Sequence, residues 1–70
     1  MEREPVSSSN LASVGYDENT ETLEIEFSSG SVYEYRNVPP GIFSELMGAG
    51  SLGSFFNREI RTSFPYEKVG

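Results

Sequence analysis

The sequence predicts an α+β fold: a three-stranded antiparallel β-meander followed by two short α-helices packed on one face. Three observations carry that prediction. Apolar and polar residues alternate with period two as far as Arg36. After Pro39-Pro40 the apolar spacing lengthens to that of a helix. Each half then has a single apolar face, and the two faces can only be buried against each other.

Residues 1–8, "MEREPVSS", are polar and read as a flexible N-terminal arm, leaving 9–70 as a single domain. "NLASVGY" alternates, with Ala12, Val14 and Tyr16 on one side. "DENT" is a turn by composition, because Asp and Asn hydrogen-bond their own backbone. "ETLEIEF" is the clearest strand: Leu23, Ile25 and Phe27 share one face, Glu24 and Glu26 the other. "SVYEYR" is the third strand.

The loop between the last two strands sets their register. A two-residue loop at Ser29-Gly30 would turn both tyrosines toward the glutamates. A three-residue loop, Ser28-Ser29-Gly30, with Gly30 at positive φ, sets Ile25 against Tyr33 and Leu23 against Tyr35. A one-residue slip moves every side chain to the other face, so the apolar pattern selects the second. Glu24 then meets Glu34 on a wet, acidic outer face. The third strand is left with an open edge along 31–36.

Pro39 and Pro40 end the strand and preset a helix start. Ile42, Phe43, Leu46 and Met47 form a helical stripe, with Gly48 as its cap. Ser51 caps a second helix, in which Leu52, Phe56 and Ile60 recur every four residues. Ser54, Arg58 and Arg61 fall on the opposite side, with Asn57 at the border. "FPYEKVG" is an extended tail lying back over the core.

Seventy residues make one small domain, with a net stability of roughly 3–5 kcal/mol. There is no cysteine and no histidine, which removes disulfides, thiolate metal sites and the commonest general base near neutral pH. No cofactor and no metal is expected. No apolar run reaches the roughly 18 residues of a membrane span, and the N-terminus lacks the apolar core of a signal peptide, so a cytoplasmic setting is expected. Net charge is −6, unevenly placed: residues 1–35 hold eight acids and one base, residues 36–70 three acids and four bases. Nucleic acid or an anionic surface would have to meet the second half.

Few residues carry chemistry. Glu24, Glu26 and Glu34 share an open sheet face, which neither perturbs a carboxylate nor converges ligands on a cation. "GAGSLG" matches neither phosphate-cradling glycine pattern. No serine has a visible base, so the chain is read as non-catalytic. Tyr33 and Tyr35 are read as core, with base stacking on the sheet as the functional alternative. The candidate ligand-binding residues are Asn57, Arg58 and Arg61, with Arg36, Tyr66 and Lys68 as neighbours: donors gathered without matching acids, suited to a phosphate or a carboxylate. The structural alternative pairs these arginines with Glu45 or Glu67.

The segments "SSSNLASVGYD", "LEIEFSSGSVYEYRNVPP" and "FFNREIRTSFPY" together resemble the KTSC domain, a short bacterial module at the C-terminus of some lysyl-tRNA synthetases that also stands alone. The likeness runs from about Val6 to Val69. The family's Tyr-x-Tyr motif matches Tyr33-Glu34-Tyr35, and its Phe-Asn-x-x-Ile-Arg segment matches Phe56, Asn57, Ile60 and Arg61. Phe64-Pro65-Tyr66 departs from the family's Tyr-Pro-Tyr, and Leu52 stands where a polar residue is common. Tyr33, Tyr35, Phe56, Ile60 and Pro65 are read as structural members of these motifs. The resemblance implies no established activity; the synthetase fusion suggests RNA binding. The expectation is therefore a small non-catalytic binding domain with an RNA partner at the basic helix face. The alternative is a protein-interaction or self-associating module, monomer or weak homodimer.

Overall fold

The computed structural model describes residues 1–70 and shows a five-stranded antiparallel sheet with helices on one face. The strands are β1 (Glu4–Pro5), β2 (Leu11–Asp17), β3 (Thr22–Phe27), β4 (Val32–Tyr35) and β5 (Tyr66–Lys68), and they lie side by side in chain order. The expected three strands are the middle three; the structure corrects the count to five. The added strands come from the stretch expected as an arm and from the stretch expected as a tail. Val14 lies opposite Glu4, and Tyr35 opposite Tyr66. Both additions are two or three exposed residues long, too short to show a period.

The β3–β4 register is the one the apolar pattern selects: Leu23 against Tyr35, Ile25 against Tyr33, Glu24 against Glu34. The loop has three residues, closed by the Phe27 N–H donating to Ser31 O at 2.8 Å, and Gly30 has φ +98°. Between β2 and β3 the expectation fails at one point. A bulge lies between Leu11 and Ser13, so Leu11 joins Val14 on the inner face and Ala12 does not.

The first helix, α1 (Pro40–Met47), starts on Pro39 with a proline at its first position. Gly48 caps it, but with a right-handed φ of −94°. Ser51 caps α2 (Leu52–Phe55), its Oγ accepting from the Ser54 N–H at 3.3 Å. The helix then widens into a π turn over Phe56–Ile60, where the Arg61 N–H donates to Phe56 O at 2.9 Å. Leu23, Ile25, Val38, Leu46 and Ile60 are fully covered, with Tyr35, Phe55 and Phe56 packed beside them.

The outer face is acidic but not open along its length. Glu24, Glu34 and Glu67 stand in one row across β3, β4 and β5. Arg3 folds over this face: its Nη1 donates to Glu24 at 2.5 Å and its Nε to Ser13 Oγ at 3.0 Å. Ser13 Oγ in turn donates to Glu26 at 2.8 Å. Glu24 is left 8 % exposed, against the expectation of a wet carboxylate. The chain reaches this position because Gly15 has no side chain: a Cβ there would sit 2.4 Å from the carbonyl oxygen of Glu2. At the other end of the row, Arg36 donates to Glu34 at 3.2 Å and to Glu67 at 3.0 Å.

Candidate functional site

The inner face is not covered along its full width. A groove of about 870 Å³ remains between the sheet and the second helix. Phe27, Tyr33, Tyr35 and Tyr66 line the sheet side; Phe56, Asn57 and Arg61 line the helix side. That volume lies within the range of about 300–1,000 Å³ usual for ligand sites.

The tyrosines form one cluster. Ring centroids lie 6.4 Å apart for Tyr33 and Tyr35, 6.0 Å for Tyr33 and Tyr66, and 5.6 Å for Tyr35 and Tyr66. Phe27 meets Tyr33 edge-on at 5.6 Å, and Phe56 meets Tyr35 edge-on at 5.3 Å. Tyr35 is 4 % exposed and belongs to the core, Tyr33 is half-buried, and Tyr66 is 60 % exposed. The core and platform readings of the Tyr-x-Tyr motif therefore meet in one arrangement: one ring anchors, and the cluster presents a graded aromatic wall. Burial, then the neighbouring phenols of Tyr33 and Tyr66, push the Tyr35 phenol up to about 12, while the charge of Arg61 pulls it down. At neutral pH that phenol keeps its proton.

Arg61 is the one charged residue lining the groove, and none of the chain's eleven acids does. The four ion pairs use Arg3, Arg36 twice and Arg58, leaving Arg61 in none of them.

The structure divides the candidate residues. Asn57, Arg61 and Tyr66 come together in the groove with Tyr33, Tyr35 and Phe56. Arg58 does not line it: Nε donates to Glu59 at 3.0 Å and the guanidinium sits 5.7 Å from the Phe55 ring centre. Arg36 lies on the outer face between Glu34 and Glu67. Lys68 stands opposite Tyr33, outside the groove lining. Ile60 is fully buried, and the Pro65 carbonyl accepts from the Arg36 N–H at 2.9 Å where β5 meets β4.

The separation of Arg58 from Arg61 follows from the π turn. On a regular helix Arg61 would point about 140° away from Phe56. A hydrogen bond from residue 61 back to residue 56 closes a wider turn and brings Arg61 round toward the Phe56 side. Sequence spacing assumed the regular period and put both arginines on one open face. Sequence reading also missed the groove's rim, Asn10, Ser28, Ser29 and Ser31, which carries no signal beyond turn composition.

Comparison with known proteins places these features in a family. The KTSC domain model matches residues 7–64. An uncharacterized protein of Stutzerimonas stutzeri is 48% identical over 61 residues, a match covering 87% of this chain and 86% of the relative. A lysine–tRNA ligase of Nostoc punctiforme is 48% identical over 54 residues, which is 77% of this chain and 10% of that protein. The crystal structure of a KTSC domain protein from Yersinia pestis superposes with a TM-score of 0.96 at 40% identity, covering 99% of this chain and 97% of the other.

Proposed function

The chain belongs to the KTSC family, and from that premise we propose that it is a small non-catalytic binding domain whose groove takes single-stranded RNA. The observation that carries this reading is the groove lining: an aromatic wall facing an arginine without an acid partner, with no carboxylate between them. Such a surface stacks a base on its rings and holds the adjoining phosphate on its guanidinium. The Nostoc punctiforme relative, by name a tRNA ligase, supports the choice of RNA. A non-catalytic role fits the groups present. The Tyr35 phenol, raised to about 12, is a donor and a poor base, and the chain has no histidine or cysteine to act in its place.

With one phosphate contact and a net charge of −6, binding is expected to be weak, with a dissociation constant on the order of 10⁻⁴ M. The alternative, a protein-interaction or self-associating module, rests on the small disulfide-free core and on an open edge along 31–36; β5 fills that edge, so only the first ground still favours it.

The test is a residue-resolved titration with transfer RNA at low salt. Shifts are expected at Tyr33, Asn57, Arg61 and Tyr66, sparing Glu24 and Glu26. Arg61→Ala should weaken binding about tenfold or more. Absence of any shift at low salt would overturn the reading.

A further inference from the structure

A second, smaller groove of about 330 Å³ adjoins the first, and the two share Asn10, Gly53 and Asn57 in their linings. Its walls come from the N-terminal segment (Ser7, Ser8, Ser9) and from the corner before α2 (Ser51, Ser54). It contains five serines and two asparagines and no charged residue. Three of these hydroxyls are committed to the fold, Ser54 Oγ by accepting from Ser51 Oγ at 3.1 Å. Ser8 Oγ accepts from the Asn10 and Leu11 N–H groups at 3.3 Å each, and Ser51 Oγ caps α2. The side chains of Ser7 and Ser9 take part in no hydrogen bond of this network, although the Ser9 carbonyl accepts from Ser28 Oγ.

The chemistry of this lining differs from that of the tyrosine groove. With no cation it has nothing to neutralise a phosphate, and with one apolar residue, Leu52, it has little on which a base would stack. Hydroxyls and amides that both donate and accept match a ribose edge, whose 2′-hydroxyl also does both. Asn57 lines both grooves, and Arg61 lies one turn further along the same helix in the first. Asn57 is thus a wall common to the groove of the tyrosines and Arg61 and to the groove of the serines.

We propose that the serine groove is a ribose subsite that makes this domain select RNA over single-stranded DNA. The proposal rests on the RNA reading of the tyrosine groove and adds the part that distinguishes the sugar.

The experiment measures, at low salt, the affinity of the full chain for oligoadenylate of about six nucleotides, its deoxy counterpart and its 2′-O-methyl counterpart. The ribo form is expected to bind about 3- to 10-fold more tightly than the deoxy form, the worth of one hydrogen bond. The 2′-O-methyl form, lacking the donor, should fall to the deoxy level. The double variant Ser7→Ala with Ser9→Ala should bring the ribo affinity down and leave the deoxy affinity unchanged. Equal binding of all three probes would overturn the ribose subsite while the tyrosine groove still stands as a nucleic-acid site. Binding of none of the three would overturn both. The probe series uses the unaltered protein, so it decides the question even if the double variant misfolds.

Discussion

On the outer side of β4, Glu34 stands in a row with Glu24 and Glu67, and each of the three has an arginine beside it. On the inner side, one residue away in either direction, Tyr33 and Tyr35 face a groove whose arginine has no acid. The same four-residue strand thus has one face where charges are cancelled within the chain and one where they are not. A charge already paired within the chain has little left to offer a ligand, whereas a guanidinium without an acid partner can take one. The sign of the whole molecule, −6, says little about either face.

The largest expected effect sharpens this contrast. Tyr35→Ala removes a ring shared by the core and the groove, and should cost about 3–5 kcal/mol, most of the domain's stability. Glu34→Ala, the adjacent residue on the paired face, should stay within about 0.5 kcal/mol. Urea titration of the two variants makes the comparison, and equal losses would break it. Gly15→Val comes next. Its side chain would strike the backbone of Glu2, so the segment carrying Arg3 must move off Glu24, at about 1–3 kcal/mol. Amide exchange should then speed up at Val6, whose N–H donates to Ala12 O, and stay unchanged at Val32, whose N–H donates to Gly70 O on the far side of the sheet.

The alkaline limb isolates the inner face. The folded Tyr35 phenol is raised from 10.0 to about 12, so the folded state holds this proton more tightly than the unfolded chain. The stabilisation is complete below pH 10 and is lost as pH rises through 12. Because the group borders an open groove, the loss is discounted to about 1–2 kcal/mol. Tyr35→Phe should abolish that step, and thermal melts across this range would show it. The smallest effect belongs to Arg36→Ala, within about 0.5 kcal/mol in stability because its pairs are solvated, and without change in RNA affinity.

The middle of the sheet was legible in the sequence because a buried face enforces period two. Ile25 against Tyr33 follows from the pattern and one glycine turn. What was not legible has specific causes. The bulge at Ala12 lets Leu11 replace it on the inner face, and alternation alone cannot show an extra residue. β1 and β5 are exposed and too short for a period. In the candidate site, Asn57, Arg61 and Tyr66 were recognised as donors but not as walls of one groove. Arg58 and Arg36 looked equivalent to Arg61 because pairing depends on neighbours that a π turn and an added strand supply.

The pairing of β5 has a kinetic consequence. Every other pair of strands joins close neighbours in the chain, whereas Tyr66 reaches Tyr35 only after the entire helical segment has closed behind it. Its three residues are exposed, and the chain just past it is tied down by backbone bonds such as Val69 N–H to Val32 O at 2.8 Å. This strand should be the first to detach in native fluctuations and the last to zip during refolding. An occupant lodged between Tyr66 and Arg61 would act as a clasp, slowing that local opening before it altered the global melting point.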